Sequence, residues 1–232
     1  MSNITVQHVA DTAVALVTID DGKVNALSAE MIADLREAIT TAEADPSLAA
    51  VVIAGRDDTF SAGFDLNVMR SGDVAAAVNL VADGGDLVRH TYVSEIPIVA
   101  ACTGHALAAG ALLLLGCDLR VGATGEFKIG VNEVAIGMVL PDWAMTICRE
   151  RLSKRHLQRA VATARITDAA TAVDVGFLDI AVEPDQVIVR AIEEAATFSA
   201  LDRVAYAGTM RQFRGDVANT MARQIAADRA TV

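Results

Sequence analysis

The sequence predicts an α/β fold, because short β-rich segments alternate along its 232 residues with segments of helical periodicity. Hydrophobic residues make up 53% of the chain but aromatic residues only 4%, which is typical of a soluble core built from Ala, Val and Leu. The length is sufficient for one large domain, or for a domain with an appendage, and provides ample material for a core.

The first part of the chain predicts a hairpin, a helix and a buried strand. Residues 4–9 and 13–19 are rich in β-forming residues and are separated by turn residues, as in an opening hairpin. Apolar residues then recur at helical spacing after Ser28, which is a good N-cap, and this helix should end at residues 45–46. Residues 49–54 form an apolar run that predicts a buried strand.

The next part predicts a loop followed by two helices. We expect residues 55–63 to form a loop, residues 64–70 a short helix and residues 73–90 a longer helix. Gly84 and Gly85 should weaken the middle of the longer helix, because glycine has a poor helix propensity.

Residues 97–117 are the segment around which the rest of the chain is organised. The apolar run 98–101 predicts a strand, residues 103–104 a tight turn, and the residues after them a helix that is apolar on every side. Proline and glycine interrupt the segment and neither flank is basic, which argues against a membrane span. The turn is nearly all Gly and Ala, so another molecule could approach the backbone closely. The helix N-terminus could then hold an oxyanion, although a core helix without a functional end explains the pattern equally well.

The last part predicts two more strands and several helices. Residues 119–121 predict a strand, residues 126–136 a mixture of strand and loop, and a helix should begin at residues 141–142. Helical patterns then dominate, apart from a strand at residues 178–182. The tail 201–230 holds several arginines and few large apolar residues, so we expect it to be too polar to bury itself and to pack on a partner subunit.

Charge and cysteine content exclude several classes of protein. The net charge of -11 argues against nucleic acid or an anionic membrane as a partner. Cys102, Cys117 and Cys148 are odd in number, widely spaced and in apolar surroundings, which predicts reduced core residues of a cytoplasmic protein and no metal site. The N-terminal residues lack a basic region followed by an apolar run, so no export signal is expected.

A second segment, FSAGFDL at residues 60–66, joins a strand to a helix through small residues. Its backbone N–H groups and those of the turn before Leu112 make two candidate donors. Two preorganised donors converging on one oxygen would stabilise an enolate or a tetrahedral oxyanion by about 3 kcal/mol each. Asp65 is more typical of a helix cap than of a catalyst.

Together, FSAGFDL, GHALAAGALLLLGCD and GVNEVAIGMVLP resemble the crotonase superfamily, the enoyl-CoA hydratase/isomerase group. The resemblance extends in order and spacing from about residue 4 to residue 185. It implies a spiral of ββα turns in residues 1–185, which would bind and convert acyl-CoA thioesters. It also implies a helical C-terminal region, residues 186–232, that makes the contacts of a trimer or of a dimer of trimers.

The resemblance assigns roles to individual residues. The first oxyanion donor falls on the N–H of Phe64, and the second on Ala109, where the family usually has glycine. The family's two acid/base glutamates fall on Leu112 and Glu133. Leucine cannot transfer a proton, so one of the two carboxyl groups is missing from this chain.

This difference favours an isomerase. Moving a double bond from C3=C4 to C2=C3 needs one base that takes a proton from C2 and returns it at C4, whereas two carboxylates usually share the work of hydration. Loss of a catalytic group costs about 10²–10⁴ in rate. The prediction is therefore Δ3–Δ2-enoyl-CoA isomerisation by Glu133, whose pKa apolar neighbours would raise if it is buried. An enoyl-CoA hydratase and a non-catalytic acyl-CoA-binding homologue stay open as alternatives.

The resemblance also implies a binding surface for the substrate, of which coenzyme A is a part, so that no separate cofactor is expected. Lys23 is a candidate partner for a phosphate, although a solvent-facing lysine in a turn is equally common. The expected substrate contacts are Lys23, Val24, Ala26, Ala62, Phe64, Asp65, Leu66, Asn67, Ala109, Leu112 and Trp143.

Three other side chains are candidates for a chemical role. Asp142 lies close to the position of a nucleophilic aspartate in a related acyl-CoA dehalogenase branch, but with the register shifted by one residue, and aspartate at a helix start is ordinarily a cap. His90 and His105 could act as bases, but single histidines in such positions are more often structural.

Overall fold

The structure, a computed structural model, describes residues 3–232 and confirms the α/β class. Its strands are β1 (Ile4–His8), β2 (Val14–Ile19), β3 (Ala26–Leu27), β4 (Ala50–Ala54), β5 (Asp58–Ser61), β6 (Gly63–Phe64), β7 (Ile98–Cys102), β8 (Gly104–Leu107), β9 (Leu119–Ala123), β10 (Ile129–Gly130) and β11 (Ile180–Val182). Its α-helices are α1 (Ala29–Ala44), α2 (Leu66–Met69), α3 (Val74–Tyr92), α4 (Ala109–Gly116), α5 (Asp142–Arg151), α6 (Leu157–Val161), α7 (Ala169–Val175), α8 (Val187–Thr197) and α9 (Arg203–Arg229).

The strands form three sheets. The largest has six strands in the order β1-β2-β4-β7-β9-β11, antiparallel between β1 and β2 and parallel elsewhere. A second sheet has the order β10-β8-β5, and β3 pairs with β6 in a third. The predicted hairpin is thus present, and the parallel strands that follow it are joined through helices, as parallel pairing requires.

The apolar run of β4 is explained by burial on both faces of the large sheet. Val51 and Ile53 face the larger core, which α1, α3, α4, α5 and α9 help to form, whereas Ala50, Val52 and Ala54 face a smaller core closed by α8. A strand covered on both faces carries apolar residues at every position rather than at alternate ones.

Two predicted loops contain strands. The segment 55–63, expected to be a loop, holds β5 and the first residue of β6, and β8 begins at the second residue of the predicted turn at 103–104 and precedes α4. These strands are short, and β5 is held by parallel pairing with β8, from Asp58 opposite Gly104 to Ser61 opposite Ala106. A Cβ atom at position 104 would overlap the Asp58 backbone, so glycine is needed for this pairing. Local composition shows neither partner, which is why the prediction failed there.

The expectation that the tail is too polar to bury itself was wrong. Residues 203–229 form the single helix α9, which packs against α3 and α5 of the same chain. Ala218, Met221 and Ile225 are buried in this interface. Arg214 is buried with them, because its guanidinium lies 2.8 Å from Asp118 and over the ring of Tyr92. A stripe of apolar side chains and one paired arginine therefore suffice to bury this face.

Within residues 3–232, no helix is both long enough and apolar enough to cross a lipid bilayer.

Candidate active site

A cavity of about 490 Å³ lies among α2, α3, the turn before α4, the segment after β10 and the end of α9. Most of the residues that line it are apolar. The polar side chains in the lining are those of Arg70, Asn132, Glu133, Asp228 and Thr231. A concave apolar site with a few polar groups is the usual form of a small-molecule binding site.

The fold brings five of the sequence-predicted residues to this one cavity although they come from three separate parts of the chain. They are Ala62, Phe64, Leu66, Leu112 and Glu133. The first three follow β5, Leu112 belongs to α4, and Glu133 lies after β10.

Two backbone turns meet at the cavity, and each contains one predicted oxyanion donor. Gly63 lies against the turn before α4, since a Cβ atom at position 63 would be 2.9 Å from Cβ of Ala108 and 3.3 Å from the Ala109 nitrogen. Ala108 has φ 50°, which sharpens the entry into the helix. The two turns therefore lie within contact distance of each other, at the place where the N–H groups of Phe64 and Ala109 were expected.

The neighbouring hydrogen bonds indicate which way these donors face. The N–H of Asp65 donates to the carbonyl of Leu27 on β3. Because successive amides of a strand point in opposite directions, the N–H of Phe64 points away from β3. The Ala109 N–H is in the first turn of α4, where amides lack intrahelical acceptors, and none of the described residues accepts its hydrogen.

Glu133 is the buried carboxyl group of the site. Its residue is 6% exposed, and Oε2 has no hydrogen-bond partner among residues 3–232. Burial raises the pKa of Glu133 from 4.5 to about 7, and the hydrogen bond from its own backbone N–H opposes this only in part. Its carbonyl accepts the N–H groups of Ile136 and Met138, which fixes the backbone that carries it. A carboxyl with this pKa can both take and return a proton near neutral pH.

Leu112 lines the same cavity and is 1% exposed. The structure therefore places an apolar side chain where the resemblance implied the second carboxyl group. No described residue other than Glu133 and Asp228 brings a carboxyl group into the lining.

The other residues of the predicted binding set lie outside this lining. Lys23 and Val24 are exposed in the turn before β3, and Asp65 caps α2, as expected, by accepting the Asn67 N–H at 2.8 Å. Trp143 is fully buried, against Gly85 of α3. That is the position of a core residue. Also outside the lining are Ala26, Asn67 and Ala109.

The two histidines that could act as bases have structural partners. Nδ1 of His105 accepts the Lys128 N–H at 2.9 Å, and His90 lies 3.0 Å from Glu43. Asp142 is the first residue of α5 and does not line the cavity. In residues 3–232, no group of three or more His, Cys, Asp or Glu side chains is arranged to hold a metal ion.

Sequence reasoning missed Asn25, which holds the backbone of the segment that leads to Phe64. It is fully buried at φ 52°, and its Nδ2 donates to the carbonyl groups of Ile19, Thr59 and Phe60 at 2.9–3.2 Å. Its own carbonyl accepts the Ser61 hydroxyl at 2.7 Å. The signal was present in the turn before β3, because asparagine tolerates positive φ better than other non-glycine residues.

Asp21 closes the same turn. Its carboxylate accepts backbone N–H groups from Lys23, Asn25 and Ala26 at 2.7–2.9 Å. Burial alone would raise the pKa of Asp21, but these hydrogen bonds hold it below its ordinary value. Hydrogen bonds within the protein thus fix the conformation of the segment expected to contact coenzyme A.

Comparison with known proteins agrees with this architecture. The family model for enoyl-CoA hydratase/isomerase matches residues 10–232. Human mitochondrial enoyl-CoA delta isomerase 1 is 29% identical over 97% of this chain and 75% of its own length. A putative enoyl-CoA hydratase of Thermus thermophilus is 34% identical over 78% of this chain and 71% of its own length.

Among solved structures, an enoyl-CoA hydratase/isomerase family protein from Pseudomonas syringae is 36% identical, with a TM-score of 0.93 over 98% of this chain and 97% of the other. The expected crotonase fold is therefore confirmed. The match of the family model over nearly the whole chain, together with the cavity and its residues, shows that this protein is an enzyme that belongs to the enoyl-CoA hydratase/isomerase family of the crotonase superfamily.

Proposed function

We propose that this enzyme isomerises 3-enoyl-CoA thioesters to 2-enoyl-CoA thioesters with Glu133 as its single acid/base group. The observation that carries the proposal is the contrast between two positions in one cavity: Glu133 is a buried carboxyl group with an unpartnered oxygen, and Leu112 is an apolar side chain. Similarity to human enoyl-CoA delta isomerase 1 supports the same choice.

In the proposed mechanism, the Glu133 carboxylate takes a proton from C2 of the substrate. The electron pair released from that C–H bond forms the enolate of the thioester. Its oxygen accepts hydrogen bonds from the N–H groups of Phe64 and Ala109, which offset the negative charge. The protonated Glu133 then delivers the proton to C4, and the double bond comes to lie between C2 and C3. No water is consumed, so a second carboxyl group is not needed.

Coenzyme A would bind along residues 23–26 and 62–67, beside the cavity. Lys23 is exposed there, and the guanidinium of Arg56 is held close to it by a 2.6 Å hydrogen bond to the Lys23 carbonyl. These two cations are the phosphate partners we propose, against a chain of net charge -11. No further cofactor or metal takes part in this proposal.

We propose a trimer, or a dimer of trimers, of a cytoplasmic enzyme as the working form. Helix α9 leaves Val204 and Phe213 exposed, at 79% and 68%. Large apolar side chains left exposed on this helix support a contact between subunits.

A hydratase is the second candidate. Similarity to the putative enoyl-CoA hydratase of Thermus thermophilus favours it, as does the second carboxyl group, Asp228, in the cavity lining. Glu133 would then activate water, and another group would deliver the proton at C2.

The test supplies purified enzyme with 3-enoyl-CoA and with 2-enoyl-CoA in separate reactions. We expect isomerisation of the first, and a loss of about 10²–10⁴ in kcat for Glu133→Gln. Glu193→Gln is the matched control, because Glu193 is exposed on α8 and does not line the cavity. This variant should retain full activity. Hydration of 2-enoyl-CoA with comparable kcat/KM would contradict the proposal, and so would an active Glu133→Gln variant.

A further inference from the structure

The C-terminal end of α9 and the residues directly after it form part of the wall of the cavity, through Asp228 and Thr231. Arg229, between them, attaches this end to α3 by ion pairs of 2.5 Å to Asp83 and 2.8 Å to Asp86. The wall is therefore held at a defined place against α3, whose first half also lines the cavity.

This part of the wall presents hydrogen-bond acceptors. Oδ2 of Asp228 is buried and has no hydrogen-bond partner among residues 3–232. The hydroxyl of Thr231 already donates its hydrogen to the Asp228 carbonyl at 2.6 Å, so only its oxygen lone pairs are available to a ligand. Burial and the nearby Asp142 carboxylate raise the pKa of Asp228, in keeping with an oxygen that lacks a donor.

An alkyl chain and a hydroxylated chain would meet this wall differently. Oδ2 of Asp228 already lacks a donor among residues 3–232, and a buried carboxyl oxygen without any donor is costly. A ligand hydroxyl at the same place would restore a donor. A site built with polar groups discriminates strongly against the analogue that lacks the matching group, because its own groups are then left unpaired.

We infer that Asp228 selects acyl chains that carry a hydrogen-bond donor, such as a hydroxyl group, on the portion that lies against the end of α9. The inference rests on the proposed use of this cavity for the acyl chain of a coenzyme A thioester, and it names the class of acyl chain. Asp228 is then a specificity-determining residue, separate from the proton transfer at Glu133.

Arg70 is the competing feature of the cavity lining. Its residue is exposed, and no ion pair within 4.0 Å joins it to Asp228 in the described part of the chain. The Arg70 guanidinium would favour an acyl chain that ends in a carboxylate, whereas the hydrogen-bond acceptors of Asp228 and Thr231 would repel it. Binding of acyl chains that end in a carboxylate and of chains that carry a hydroxyl therefore distinguishes the two features.

The experiment measures dissociation constants by titration calorimetry with saturated thioesters, which do not turn over. The ligands are hexanoyl-, octanoyl- and decanoyl-CoA, their terminally hydroxylated derivatives, and the corresponding dicarboxylic mono-CoA thioesters. For at least one length we expect the hydroxylated ligand to bind about tenfold more tightly than the alkyl ligand. Asp228→Leu should abolish or reverse this preference. Asp228→Asn, which keeps the shape and an acceptor oxygen, should retain part of it.

Asp216→Leu is the matched control, because Asp216 is exposed on the same helix and does not line the cavity. Equal binding of alkyl and hydroxylated ligands at every length would overturn the inference. So would a preference that survives in Asp228→Leu, or tightest binding of the dicarboxylic ligands. Because binding is measured without turnover, a hydroxyl preference in a protein that does not isomerise 3-enoyl-CoA would refute the proposed function and keep this inference.

Discussion

At the scale of single residues, Glu133 meets opposing requirements of stability and chemistry. Its burial raises its pKa to about 7, which suits proton transfer but makes the ionised form costly to bury. The folded state keeps the proton up to about pH 7, whereas the unfolded chain releases it near pH 4.5. The contribution of this group to the free energy of unfolding therefore falls as pH rises through that window.

Two pH dependences follow for the wild-type enzyme and Glu133→Gln. The isomerase kcat/KM of the wild type should rise with pH through about 7 and then level off, because the base must be ionised.

The free energy of unfolding of Glu133→Gln should exceed that of the wild type above pH 7, by up to about 3 kcal/mol, and the difference should shrink towards pH 4.5. Urea unfolding at several pH values measures it. A pH-independent difference in stability would contradict the assignment of the raised pKa to Glu133.

At the scale of elements, the glycine pair of α3 is a packing site rather than a weak point. The helix is continuous from Val74 to Tyr92. A Cβ atom at Gly84 would overlap the Phe64 ring, and one at Gly85 would lie 2.9 Å from Ile225 and Trp143. The two glycines thus let α3 approach the first donor turn on one side and α5 and α9 on the other. Their poor helix propensity is offset by this close packing.

We expect Gly84→Ala to lower kcat, since the methyl group must displace the Phe64 ring and with it the backbone N–H that we propose as an oxyanion donor. Overpacking of this kind also costs about 1–3 kcal/mol of stability. Gly208→Ala is the control: position 208 of α9 is open, so the substitution should stabilise the protein by up to about 1 kcal/mol without changing kcat. Enzyme kinetics and urea unfolding of both variants check this. Full activity of Gly84→Ala would show that the ring position does not matter.

At the scale of the whole molecule, α9 is attached to the rest of the fold by arginines. Arg203 donates to the carbonyl groups of Glu43 and Asp45 at the end of α1. Arg214 pairs with Asp118 before β9 and donates to the Tyr92 carbonyl at 2.9 Å. Together with the ion pairs of Arg229, these contacts are spread along the length of α9. They hold its C-terminal end at the cavity.

Loss of the buried member of this set should be the most damaging. Arg214→Ala leaves the Asp118 carboxylate buried without its cation, which should lower the free energy of unfolding by about 3–5 kcal/mol. Arg211→Ala, which removes an exposed pair with Glu95 at 3.4 Å, should cost less than about 1 kcal/mol. Chemical denaturation of the two variants measures the contrast. Equal losses would mean that α9 is held by its apolar contacts alone.

Residues adjacent in sequence were sufficient to predict the regular helices and strands and the functional side chain that lies within a motif. The hairpin, α1 after its Ser28 cap, the buried strand β4 and the Asp65 cap were predicted correctly, because each depends on residues adjacent in sequence. The motif around Glu133 led to the carboxyl group that lines the cavity.

Long-range contacts decided what those patterns could not show. Strands as short as β5 and β8 exist through their pairing with each other, and α9 buries a face that combines apolar side chains with a paired arginine. Asp228 is distant in sequence from every motif, and only the return of α9 across α3 brings it to the cavity. Residues near one another along the chain thus specified the elements, whereas the assembly of the site depended on packing between distant segments, which no local pattern encodes.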